Sequence, residues 1–168
     1  MQEAKLYLAE ALISLMEHTP LAEIKVKDLA KKAGVSRMSY YRYFSSKEEI
    51  LYYYMDHIFQ EYTKKVDCSK ASQFQSYQHI LESLLFFQNY RSFVQCLYNA
   101  HMERLLLDTL NRYVEKQAQF DKEKLAKSYP FYFYAGALYN IYTQWILNDP
   151  DIPAEKIAHM IVSILRHG

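Results

Sequence analysis

The chain has 168 residues, of which 51% are hydrophobic, 16% aromatic and 23% charged, with a formal net charge of +1. That length holds one domain or two small ones, and the apolar fraction excludes a disordered chain. Three glycines and four prolines are too few for the turns of a β-sandwich or the phosphate loop of a Rossmann sheet, so the composition predicts an all-α fold, and near-neutral charge confines any nucleic-acid contact to a local patch.

Leu6, Ala9, Ile13 and Met16 recur at helical spacing and predict a first helix over residues 4–17, stopped by Pro20. A short second helix over 26–33 follows, with Val26, Leu29, Ala30 and Ala33 as its stripe and Gly34 where a left-handed residue would end it. Ser36 is placed to cap a third short helix over 37–44. Ser45-Ser46-Lys47-Glu48-Glu49 holds a capping box in either of two registers, Ser45 with Glu48 or Ser46 with Glu49, and opens a long fourth helix to about Val66. The polar stretch 67–73 reads as the joint between a head and a larger body. Helices of the body are predicted near 73–88, 90–101, 102–120, 129–148 and 153–167.

Charge is unevenly placed. Between Ile24 and Lys47 lie seven bases (Lys25, Lys27, Lys31, Lys32, Arg37, Arg42 and Lys47) against Asp28 alone. Such a run is usually only a solvated face. Here it covers two short helices joined by a tight turn, the arrangement a helix-turn-helix uses to brace one helix on phosphates and lay the next in the major groove. In the third helix Tyr40 and Phe44 are four apart and face inward, which leaves Arg37, Met38, Tyr41 and Arg42 outward. Exposed Tyr41 and Tyr43 beside arginines suit hydroxyl contacts to phosphate and packing on sugars or thymine methyls. Lys47 lies at the start of the fourth helix, whose free N–H groups also attract a phosphate.

The run Leu29-Ala30-Lys31-Lys32-Ala33-Gly34-Val35-Ser36-Arg37-Met38-Ser39-Tyr40-Tyr41-Arg42-Tyr43-Phe44-Ser45-Ser46-Lys47-Glu48-Glu49-Ile50-Leu51 resembles the DNA-binding signature of the tetracycline-repressor (TetR) family of bacterial transcription regulators, a likeness that covers about residues 6–62. The resemblance implies that Lys27, Ser36, Ser39, Tyr41, Tyr43 and Lys47 grip phosphates and that Arg37, Met38 and Arg42 face base edges, with Tyr41 beside them. Lys25 stands where the family usually has an N-capping Thr, so Lys25 and Lys27 would supply ammonium contacts instead. Met38 replaces a residue that is often small or Pro, so base preference does not transfer. The resemblance further implies a homodimer on a palindromic DNA operator, acting as a repressor and answering a small apolar or aromatic effector.

The expected division is a helix-turn-helix head over 1–46, a connecting helix over 47–66 and a dimerisation and effector body over 67–168. Ile157, Ile161, Val162 and Leu165 share one apolar stripe of the last helix, wider than packing on one side needs, and are expected at the dimer interface. The body's aromatics could line an apolar cavity. A small-molecule sensor should hold one of about 300 Å³ or more, whereas control by a protein partner should go with a filled core and an exposed apolar patch. The six histidines and two cysteines fall in no metal or catalytic spacing, which predicts a non-enzyme with no metal and no cofactor. The opening MQEAKLYLAEAL has neither a basic n-region nor an apolar core, and 131–147 is short and polar for a span, so no leader, no membrane contact and a reduced, cytoplasmic setting are expected.

Overall fold

The computed structural model describes residues 2–65, 76–117, 129–149 and 151–167. Among these the regular elements are all helical: α1 (Gln2–Met16), a 3₁₀ turn (Leu21–Glu23), α2 (Val26–Lys32), α3 (Arg37–Tyr43), α4 (Lys47–Lys65), α5 (Tyr77–Gln88), α6 (Arg91–Asn99), α7 (Arg104–Gln117), α8 (Tyr129–Asn148) and α9 (Ala154–His167). The fold is all-α, as the composition predicts. None of the described helices is long and apolar enough to cross a membrane. The expected joint over 67–73, and Cys68 within it, lie outside the described residues.

The helices gather into two compact units. The first comprises Met1–Ile58 with Ser92–Leu105. In it α1 packs on α2 and α3, and α2 on α3. Leu8, Leu12, Leu29, Ile50, Leu51, Met55 and Leu97 are buried at its centre. Hydropathy alone assigns α6 to the body, yet α6 packs with the head elements: Phe93 meets Tyr54 edge-on at 5.0 Å, and the Cys96 thiol donates to Ile13 O at 3.6 Å. Burial pushes the Cys96 thiol up to about 11. At pH 8 only about one molecule in a thousand then carries the reactive thiolate. In a Cys68→Ala background a disulfide reagent should leave native protein unmodified and titrate Cys96 fully in denaturant. Fast native labelling would contradict this burial.

The second unit comprises Phe59–Arg91 with Leu106–Gly168. Here α5 lies along α9. Tyr142 donates its hydroxyl to Phe87 O at 2.8 Å and Trp145 its indole N–H to Ile152 O at 2.7 Å, so these two large buried side chains keep their polar ends paired. The same packing buries most of the stripe expected at the dimer interface. Ile157, Ile161 and Val162 are 3–7% exposed within a single chain, and Leu165 is half-buried. Their stripe is covered in large part by the chain's own helices, α5 among them. The exposed apolar side chains of α8 and α9 are others: Tyr129 and Phe133 on α8, Met160 and Ile164 on α9.

Candidate nucleic-acid interface

The turn between α2 and α3 is fixed by three local devices. Gly34 adopts φ +67°, a conformation in which a side chain is strained. Its N–H reaches Lys31 O at 3.2 Å, and the next N–H, of Val35, reaches Ala30 O at 3.0 Å, which is the closure of a Schellman motif. Ser36 then caps α3 by accepting from Ser39 N–H at 3.1 Å. Tyr40 and Phe44, at 3% and 4% exposure, anchor the inner side of this seven-residue helix, as their spacing predicts.

Anchoring on one side leaves the other free. Arg37, Met38, Tyr41 and Arg42 are exposed along α3, with Met38 at 70% and Tyr41 at 64%. Tyr41 is braced edge-on against the buried Tyr40 ring at 5.1 Å, which limits where its hydroxyl can go. Ser36 and Ser39 share a hydrogen bond between their hydroxyls at 3.0 Å, so one of the two protons stays available for an acceptor outside. Lys25 and Lys27 are exposed at the start of α2, where Lys25 occupies the N-cap position without a side-chain cap.

Two residues sit differently from expectation. Tyr43 is half-buried, with Lys5 Nζ 5.9 Å above its ring. Lys47 is also half-buried, and its ammonium donates to the carbonyls of Leu21, Ala22 and Ile24. The carbonyls of the 3₁₀ turn and its C-cap converge on the first residue of α4, so this ammonium ties the turn to α4. Removing charge-assisted bonds of this kind costs about 2 kcal/mol. Lys47→Ala should therefore lower the melting temperature while leaving the salt dependence of DNA binding as it was. Flattening of the log-affinity against log-salt slope by about 0.9 per head would instead assign Lys47 to a phosphate.

Sequence patterns left other features open. The capping box takes the Ser46–Glu49 register, with Glu49 N–H on Ser46 Oγ at 3.2 Å, and the Glu49 carboxylate accepts from Ser45 N–H at 2.6 Å. Lys5 is a residue that no local motif marks. Its Nζ lies 5.7 Å from the Phe44 ring and 5.4 Å from that of Tyr53 as well as over Tyr43, so one cation on α1 meets rings from the end of α3 and from α4. Its only sequence signal is a base preceding an aromatic-rich helix by some forty positions, and contacts of that separation leave no periodic trace.

Comparison with known proteins agrees with this geometry. The family profile of bacterial regulatory proteins of the tetR family matches residues 8–53, and that of a transcriptional regulator C-terminal region matches residues 74–167. The HTH-type transcriptional regulator EthR of Mycobacterium tuberculosis (strain CDC 1551 / Oshkosh) is 51% identical over 45 residues, 27% of this chain and 21% of that protein. EthR of Mycolicibacterium smegmatis is 57% identical over 37 residues, 22% of this chain and 17% of that protein. The likeness thus spans about a fifth of the length of these curated relatives. Among solved structures, the dihydroxyacetone kinase operon activator DhaS aligns with a TM-score of 0.67 at 22% identity, over 98% of this chain and 94% of that one. Lin0861 from Listeria innocua gives 0.74 at 15% identity, over 99% and 91%. A TetR transcriptional regulator from Rhodococcus sp. RHA1 gives 0.57 at 17%, over 98% and 96%. Likeness at such identities shows the fold. Two adjoining profiles that take in the helix-turn-helix and the helices after it show more: the chain belongs to the TetR family of bacterial transcriptional regulators.

Proposed function

We propose that the chain works as a homodimer that reads a palindromic operator with two copies of α3 and represses the gene beneath it. The observation that carries this is the two-sided recognition helix: Tyr40 and Phe44 locked inward, and Arg37, Met38, Tyr41 and Arg42 presented outward. Arg37 and Arg42 read guanine edges, Met38 and Tyr41 pack on bases and thymine methyls, and Lys25, Lys27, Ser36, Ser39 and Tyr43 hold phosphates. Loss of a bidentate arginine–guanine contact costs about 1–3 kcal/mol and relaxes preference at one base pair per half-site. Binding-site selection with Arg37→Ala and Arg42→Ala tests this. An unaltered motif bound uniformly more weakly would reassign both arginines to phosphate.

Repression needs only occupancy of a promoter, whereas activation needs a second surface for the transcription machinery; a reporter assay with the gene deleted reads the sign directly. The exposed Tyr129, Phe133, Met160 and Ile164 supply the surface for a second copy. Effector control draws support from a cavity in the second unit, but its volume of about 90 Å³ admits only a compact molecule. That volume is well below the roughly 300 Å³ of a drug-sized site, and it favours a second reading, in which a protein partner carries the signal.

A further inference from the structure

The cavity is lined from four helices of the second unit, the end of α4 with α5, α7 and α8, and its wall is almost wholly apolar. No Asp, Glu, Lys or Arg is found among the described residues of that wall. Its one basic side chain, His79, is buried, and desolvation lowers its pKa, so it stays neutral at physiological pH. A charged guest would lose its hydration with no counter-charge to replace it. Besides the hydroxyls of Tyr113, Tyr134, Tyr139 and Tyr142, the wall has a cluster of polar atoms at one spot. Tyr62 Oη lies 2.7 Å from Ser83 Oγ and 3.3 Å from His79 Nε2, and Ser83 Oγ donates to His79 O at 2.7 Å.

Counting protons fixes the direction of this chain. Ser83 has a single hydroxyl proton and gives it to the His79 carbonyl, so it accepts from Tyr62. Ser83 Oγ, having accepted once, keeps a second lone pair at the cavity wall. That wall asks its guest for a proton and offers it none from Ser83.

We propose that the cavity binds a compact, uncharged molecule whose apolar body is no larger than one ring and which donates a single hydrogen bond, from a hydroxyl or ring N–H, to Ser83 Oγ. The proposal deepens the effector-responsive part of the function above, and its consequence for DNA rests on that reading; the binding itself does not. An apolar cavity of about 150 Å³ accommodates benzene, so the smaller volume here makes one ring the upper limit and requires side chains of the wall to give slightly.

Phenol and toluene are matched in size and benzoate is somewhat larger; together they separate donor, apolar and charged guests, and calorimetry on the full chain without DNA reads each. Phenol should bind, toluene should bind about tenfold more weakly, and benzoate should give no heat of binding. Ser83→Ala should bring phenol down to the affinity of toluene and leave toluene unchanged. Ala135→Leu, which fills the space beside a fully buried wall residue, should abolish both; if that variant does not fold, Ser83→Ala carries the test alone. Absence of phenol binding, benzoate binding as tightly as phenol, or phenol affinity indifferent to Ser83→Ala would overturn the proposal. Phenol that binds as expected but leaves operator affinity unchanged in a gel shift would support the site and remove the effector reading instead.

Discussion

Ile161→Glu should unfold the protein, with dissociation of a dimer only a by-product. Ile161 is 3% exposed, on a helix that lies along α5, and its neighbours on the same stripe, Ile157, Ala158 and Val162, are buried with it. A carboxylate there loses the packing of the isoleucine and sits unpaired among apolar groups. Together these cost about 4 kcal/mol or more, a large part of the roughly 5–15 kcal/mol that holds a domain together. Helical circular dichroism against temperature measures the effect. Loss of the native transition, or a fall of ten degrees or more, is the expected outcome. A variant that melts like the parent but sediments as a monomer would restore this stripe to the dimer interface.

The opposite result is expected from Phe133→Glu combined with Ile164→Glu. Both side chains are exposed in the single chain, at 75% and 65%, so new charge costs the monomer fold little. Phe133 shares its face of α8 with Tyr129, Gly136, Asn140 and Gln144, and a Cβ added at Gly136 would meet nothing within 4 Å. A second copy seated on this surface would place four carboxylates in one interface. The double variant should therefore be a folded monomer. Operator affinity should fall about 10²–10⁴-fold, because the second half-site contact is no longer intramolecular. Sedimentation and a gel shift on the same sample read both effects. A dimer with parental affinity would show that α8 and α9 do not join the two copies through these residues.

Much of the head was legible in the sequence because its devices are local. Gly34 marks a left-handed residue, Ser36 a cap, and the spacing of Tyr40 and Phe44 a buried side, and each depends on residues within one helical turn. Ser46 and Glu49 could be told from Ser45 and Glu48 only by coordinates, since both pairs have the same spacing. The carbonyl contacts of Lys47 leave no sequence trace, because a lysine at a helix start suits an anion and a cluster of carbonyls equally, and the carbonyls it meets come from residues 21–24, far away in sequence. The stripe of α9 is ambiguous for a related reason: apolar periodicity says that a face is covered but not by what, and α5 already covers part of it. The place of α6 beside α1 and α4 likewise rests on tertiary contacts, Cys96 with Ile13 and Phe93 with Tyr54, that no pattern within α6 reveals.

Selection of bound sequences from a random DNA library, at near-physiological salt, tests the specific reading of DNA by α3 most directly. The expected product is an inverted repeat whose half-site centres lie about one helical turn, 34–36 Å, apart, with preferences that relax at single positions in Arg37→Ala and Arg42→Ala. Retention of DNA without an enriched motif, weakening steeply with salt and equally for every sequence, would contradict it and leave the basic surface between Ile24 and Lys47 as a general phosphate-binding face.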